Sequence, residues 1–357
     1  MTLTALLPTR ARPAECERQL RFLRGNGFAH RIVVLDASAP SDAKLVRRAC
    51  SGSAEYRHFG PEYRMADKLA AAVIDVTTPY VVLIPDDDVV LPQAIADAMT
   101  FLDSHPDFVV AHGYFIDFRV HDADVDFHHV AGFTPSIVDE DPLRRHYELF
   151  RRYQSFYWGV FRTDVFRTGV RAACAMEVVT FRELTVMSTA ILQGKVARLR
   201  SVYALRGTVR SHAAVHQSHP FFFFLRDPSR FFGNYVLFRN AIAAFIRRSG
   251  IATPTKVPLE QFLDLSYATY LGREMHPSTI NHAVKLLLGD PMPPIPTAPP
   301  QPPDWQEPGD GDIVHRSISG NRRYIWRRLV LEAEPRNEIA IAEHDMARVE
   351  RQLDSYR

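Results

Sequence analysis

Short apolar runs alternate with amphipathic stretches over the first 120 residues. Thr2 to Leu7 reads as a short strand, stopped by Pro8. Ala14 to Leu23 carries helical spacing, and HRIVVLDAS is an apolar run that ends in Asp36. Ser41 can cap a helix through Cys50, because its side-chain oxygen accepts from free first-turn amides. EYRHF is a weak strand. Met65, Leu69, Ala72, Val73 and Val76 recur at helical spacing. YVVLI is continuously apolar, as in a strand buried on both faces of a parallel sheet. Pro92 opens a helix to Ser104, and DFVVAHGYFIDF is another strand. Strands separated by helices of about ten residues or more predict βαβ units and a mainly parallel sheet.

Beyond Asp122 the pattern loosens, and Asp122 to Pro135 is expected as a loop or insertion. Asp141 to Arg152 and Phe181 to Gln193 are helical, QSFYWGVFRTDVF is a strand leading into a short helix, and KVARLRSVYAL is a returning strand. Pro220 to Leu288 gives helical signals. Nine of the eighteen residues from Pro291 to Pro308 are proline, a composition of semi-rigid linkers. The expected organisation is an α/β domain over 1–215, a helical extension over 216–290, a Pro-rich linker over 291–310 and a basic, amphipathic helical tail over 311–357. In that tail Ile339, Ala342, Met346, Val349 and Leu353 step by three and four. This suits a helix that docks on its own domain or mediates a homodimer.

Composition narrows the class. A formal net charge of +2 exerts no global pull toward nucleic acid, and no nucleic-acid partner is expected. Cys16, Cys50 and Cys174 lie far apart without CxxC spacing, which argues against a disulfide framework or zinc knuckle and fits a reducing compartment. The apolar run before Pro8 is too short for a signal peptide. The aromatic stretch from His219 to Ile246 is interrupted by Arg226, Asp227, Arg230 and Arg239, too often to span a bilayer. A cytoplasmic protein is expected. The basic, aromatic segment Ile313 to Leu331 offers a peripheral contact at the inner membrane face, ranked behind docking or dimer exchange.

The candidate chemistry lies in YVVLIPDDDVVLPQAI. Asp86, Asp87 and Asp88 follow a buried strand, where an unpaired carboxylate costs several kcal/mol. A hard divalent cation, Mg²⁺ or Mn²⁺, would offset that cost. A solvated turn capping the next helix is the alternative. Asp36 also ends a predicted strand, so both acidic sites are expected on one cleft beyond the carboxyl ends of the sheet.

With these residues the chain resembles the GT-A-fold glycosyltransferases, in particular the broad family-2-like group. The resemblance covers roughly Thr2 to Leu205 and rests on LTALLPTRARPAECERQLRFL, IVVLDAS and VVLIPDDD, in that order. It implies a GT-A, Rossmann-like, mainly parallel sheet flanked by helices, with a helical C-terminal region. It also implies a nucleotide-diphosphate sugar as donor. By this resemblance Asp88, last acid of the DxD motif, binds the metal. Asp86 contacts the ribose, or the metal through water, and Asp87 orients or solvates. Asp36 accepts from the base or the ribose. Pro8, Thr9 and Arg10 line the nucleotide pocket. Arg10 or Arg12 pairs with phosphate, Arg12 being expected rather as a solvated loop residue. Lys68 is either a donor contact or a surface lysine. Glu183, with Glu177 as runner-up, is the base that deprotonates the acceptor hydroxyl; the alternative is a glutamate favoured at a helix N-terminus by the dipole. His212, ahead of His216 and His219, completes the metal shell. Trp158 or Tyr157 offers a ring face to a sugar.

The expected function is a metal-dependent, inverting glycosyltransferase acting on a glycan or glycolipid in surface polysaccharide assembly. A sugar-phosphate nucleotidylyltransferase is disfavoured, since LLPTRARP lacks the glycines of a phosphate loop. A non-catalytic module of the same fold is the second rival.

Overall fold

The computed structural model describes residues 2–121, 124–131, 135–207, 223–224, 227–254 and 256–274, with the backbone alone for 117–131, 207 and 273–274. In chain order the elements are β1 (Leu3–Thr9), α1 (Pro13–Gly25), β2 (Arg31–Asp36), α2 (Pro40–Cys50), β3 (Glu55–His58), α3 (Met65–Val73), β4 (Tyr80–Leu83), β5 (Val89–Val90), α4 (Pro92–Ser104), β6 (Phe108–His121), β7 (Asp124–Ala131), α5 (Pro142–Arg151), β8 (Val160–Arg162), α6 (Thr163–Ala173), α7 (Val179–Gln193), β9 (Lys195–Gly207), α8 (Pro228–Arg248) and α9 (Leu259–Glu274).

Among the described residues the strands form one nine-stranded sheet in the order β3-β2-β1-β4-β8-β6-β9-β5, with β7 paired to β6. The block β3-β2-β1-β4 is wholly parallel. β8 then runs antiparallel to both β4 and β6, while β6 and β9 are parallel. The mainly parallel sheet of the sequence reading is therefore parallel in its N-terminal half and mixed beyond it.

The continuous apolar strands follow from a sheet covered on both faces. Alternate residues divide between two cores. Leu6, Val33, Leu35, Val81 and Leu83 face the side covered by α3 and α5–α9. Leu7, Ile32, Val34, Val82 and Ile84 face the side covered by α1, α2 and α4. Pro8 does not stop β1, which continues to Thr9. The pairing of β1 with β4 ends at Leu6 and Leu83. Beyond it no strand on that side needs the amide that proline lacks.

Two further differences have local causes. The expected loop from Asp122 holds β7, a hairpin partner of β6 with an irregularity at Asp117/Phe118. Its acids and histidines hide the alternation. The helix expected from Phe181 starts at Val179 and is buried almost all round, because α6, α5 and α8 pack about it. The C-terminal histidines His212, His216 and His219, the linker and the tail lie outside the described residues. Among the described residues no helix is long and apolar enough to cross a membrane.

α6 and α7 approach closely at Gly169. A Cβ there would lie 3.1 Å from the Val186 Cα and 2.8 Å from the Thr189 Oγ1. Replacing glycine in a helix by alanine ordinarily gains about 1 kcal/mol, but overpacking costs about 1–3 kcal/mol. Gly169→Ala is expected to be net destabilising by about 1 kcal/mol in urea unfolding, reversing the sign that helix propensity alone would give.

Candidate active site

The parallel strands deliver their carboxyl ends to one edge. Lys68 on α3 reaches under that edge and is 3 % exposed. Its Nζ donates to the Thr9 and Leu35 carbonyls, each at 2.9 Å. It thereby ties the last residues of β1 and β2, and it is not a surface lysine. Burial lowers its pKa to about 8, opposed by the charges of Asp36 and Asp86.

Asp36 is fully buried. Its Oδ1 accepts from the Ser38 amide at 2.8 Å and the Ser38 hydroxyl at 2.5 Å, and its Oδ2 accepts from the Tyr56 hydroxyl at 2.9 Å. The Ser38 hydroxyl oxygen in turn accepts from the Ala11 amide at 2.8 Å, and the His58 ring Nε2 lies 3.1 Å from the Ser38 carbonyl. Asp36 thus organises the turn beside the cleft. Around that turn Ser38 is buried, Tyr56 is half-buried and His58 is exposed. The sequence offers no sign of Tyr56 and His58, whose strand is short and weakly patterned.

The triplet follows β4. Asp86 and Asp88 are both buried, while Asp87 is half-buried. Thr9 donates its hydroxyl to Asp86 Oδ2 at 2.7 Å. Arg12 is not a solvated loop residue. Its NH1 sits 3.0 Å from Asp86 Oδ1 and 2.7 Å from Asp87 Oδ2. Burial raises the Asp86 pKa above the ordinary carboxylate value, and Thr9 and Arg12 counter it in part. Burial works against the Arg12 charge, but Asp86 and Asp87 outweigh it and hold its pKa above the usual value. Nothing in the local sequence signals this pairing, whose partners lie 74 and 75 positions away; in the structure Arg12 stands between the positive-φ Ala11 and the helix-opening Pro13. Pro8 is half-buried and Arg10 is exposed on the rim.

Glu183 occupies the second turn of α7, not its first. It is half-buried by area, yet protein crowds its carboxyl, so burial pushes its pKa up to about 7 against the pull of Arg206. The β5–β9 register pairs Val89 with Leu205, which places Asp88 opposite Arg206. Tyr157 is buried beside Glu183, and both burial and that charge raise its pKa. The start of α7 is braced by Arg182, whose Nε and NH2 donate to the Met176 and Glu177 carbonyls, each at 2.7 Å. Glu177 instead points outward and pairs with Arg230 at 3.5 Å. Trp158 is half-buried, and its carbonyl accepts from the Tyr203 hydroxyl at 2.9 Å.

Three acids and a threonine hydroxyl are oxygen donors suited to a hard divalent ion. The fit is supported by the two carboxylates that already converge on the Arg12 cation. Among the described residues no three His, Cys, Asp or Glu side chains yet surround a common point.

No protein-family model matches the sequence, and no curated protein sequence matches it. Solved structures do match the fold. TarS residues 1–349 from S. aureus in complex with UDP-GlcNAc superposes with a TM-score of 0.51 at 15% identity, covering 76% of this chain and 72% of that one. The same protein in complex with UDP gives 0.51 at 14%, covering 80% and 75%. The chain has a GT-A fold. In that frame the triplet, Asp36 and Lys68 share the carboxyl edge where α/β sheets bind ligands.

Because the folded state holds Lys68 at about 8 against 10.5 when unfolded, the unfolded chain binds more protons between those values. On Lys68's account stability therefore rises with pH from about 8 to about 10.5, by up to about 3 kcal/mol. Urea midpoints of the wild type and Lys68→Met, compared across that window, are expected to show this increment in the wild type and lose it in the variant.

Proposed function

We propose that the protein is a metal-dependent glycosyltransferase that moves a sugar from a nucleoside-diphosphate donor to a hydroxyl of a glycan or glycolipid acceptor. The observation that carries this reading is the convergence of Thr9, Asp36, Lys68 and the Asp86–Asp88 triplet at one carboxyl edge of a GT-A sheet. Asp88 and Asp86 would hold Mn²⁺ or Mg²⁺, which when bound neutralises charge on a departing diphosphate. His212 remains the candidate for a further ligand.

The chain's own groups supply the rest. The Asp36–Ser38–Tyr56 turn shapes the base and ribose pocket, with Pro8, Thr9 and Arg10 on its wall. Lys68 keeps the ends of β1 and β2 in place and brings positive charge beneath the donor. Glu183 as carboxylate accepts the acceptor's hydroxyl proton. The oxygen then bonds to the anomeric carbon as the carbon–phosphate-oxygen bond breaks, and the electron pair leaves with the nucleoside diphosphate. A carboxyl titrating near 7 is well matched to proton transfer at neutral pH. A single displacement inverts the anomeric centre. Tyr157 and Trp158 line the acceptor side. A role in surface polysaccharide assembly, with the tail mediating a homodimer or a peripheral membrane contact, completes the reading. The non-catalytic alternative gains nothing from a glutamate held near neutrality beside the cleft.

Two measurements test it. A base that must be ionised makes the rate fall as the pH drops below about 7. Glu183→Gln is expected to lower kcat by about 10²–10⁴-fold and abolish that acid limb. Nucleoside diphosphates tested with and without Mn²⁺ are expected to include one that raises the wild-type Tm by roughly 5–10 °C near a hundredfold excess over Kd, in the presence of metal. UDP, present in the TarS complex, is the first to try. Asp88→Ala should lose the response. If no nucleotide shifts the wild type, the triplet is a structural turn.

A further inference from the structure

Arg12 already occupies Asp86, one of the two carboxylates that a metal would need. One nitrogen, NH1, contacts Asp86 Oδ1 and Asp87 Oδ2 at 3.0 and 2.7 Å. A divalent ion taking Asp86 together with Asp88 would meet a guanidinium already on Asp86, at a separation where two cations repel strongly in a partly buried site. The arginine is nevertheless placed to leave. Its side chain is 27 % exposed, and it stands at the N-cap of α1, outside the regular helix.

The backbone that aims it is distorted. Ala11 has φ 55°, a left-handed conformation that costs a side-chain-bearing residue about 1–2 kcal/mol. It is held by the bond from its amide to the Ser38 hydroxyl, and Ser38 is held by Asp36. The nucleotide turn and the triplet's counter-ion are therefore one mechanical unit. A displacement of the Asp36–Ser38 turn is passed through the Ala11 amide to the residue next to Arg12. A diphosphate, with two adjacent anionic groups, is a better partner for a guanidinium fork than the divided contact it makes with two separate aspartates.

We propose that Arg12 is exchanged between two anions of the site: it neutralises Asp86 and Asp87 in the empty cleft, and moves to the donor's diphosphate as metal and donor enter together. The metal therefore binds weakly alone and well with the nucleotide. This rests on the metal–diphosphate reading above and adds an order of loading and a residue that enforces it.

The test is Mn²⁺ binding to the intact protein, followed calorimetrically and by the electron-spin resonance of free Mn²⁺, in wild type, Arg12→Ala, Arg12→Gln and Asp88→Ala. Removing the resident cation is expected to tighten Mn²⁺ binding in the absence of nucleotide by about tenfold in both Arg12 variants. The same variants are expected to bind the stabilising nucleoside diphosphate, at saturating Mn²⁺, about tenfold more weakly. The nucleotide is chosen from UDP, GDP, ADP, CDP and TDP by thermal shift. Asp88→Ala should lose Mn²⁺ binding, which locates the ion on the triplet. Urea unfolding of each variant shows that a change belongs to the site and not to the fold. If wild type binds Mn²⁺ and the Arg12 variants bind it equally or more weakly, Arg12 is a structural partner and the proposal falls while the metal reading stands. Tighter Mn²⁺ with unchanged nucleotide affinity also overturns the exchange. If wild type binds neither Mn²⁺ nor any of the five nucleotides, the metal–diphosphate reading fails and takes the exchange with it.

Discussion

A buried ammonium must be hydrogen-bonded or neutralised, and Lys68 meets that demand at the point where two strands end. Its bonds to the Thr9 and Leu35 carbonyls add a side-chain donor to the last residues of β1 and β2, the Thr9 carbonyl also accepting from the Ala37 amide at 3.1 Å. They also bring a positive charge into the field of Asp36 and Asp86. The carboxyl edge of the parallel block depends on this contact. Without it, the ends of β1 and β2 would lose the tie that Lys68 makes between them, and the buried carboxylates of Asp36 and Asp86 would have less compensation. Thr9 then carries the arrangement from the strand to the triplet by donating to Asp86.

The opposite wall of the cleft is built differently. Glu183 sits on a helix buried nearly all round, and its position is a consequence of helix packing. Arg182 and Asn234 tie down the backbone just before α7. The contact at Gly169 sets how near α6 approaches. α8 and α9 contribute Phe231, Phe238 and Tyr267 to the same core as Phe181. The C-terminal helices thereby stabilise the element that bears Glu183, although they lie far along the chain from the strands that hold the triplet. Arg206, next to the Leu205 that pairs with Val89, acts on Glu183 through its charge.

Particular residues show how much of this was legible. β1, β2 and β4 could be read because burial on both faces makes them largely apolar, and acids stand out at or just past the ends of β2 and β4; β3, polar and partly exposed, was legible only as a weak strand. β7 could not be, because Asp and His at half its positions mask the period of two. Lys68 was ambiguous because helical spacing reports which face a residue occupies, not what covers that face. Arg12 was misjudged because its partners are 74 and 75 positions away. Such a pairing leaves no local pattern.

The family resemblance supplied the candidacy of Glu183; the sequence by itself determined the order of strands and helices from β1 to β4 and the place of the acidic triplet. These are local properties: apolar period, turn chemistry and charge adjacent along the chain. The tertiary structure alone decided that β8 reverses the sheet's direction and that Asp36 is fully engaged by Ser38 and Tyr56. It also decided that the triplet's resident cation is an arginine, and that burial brings Glu183 to about 7. Each of these depends on which distant groups share a low-dielectric space, and that is a property of packing in three dimensions.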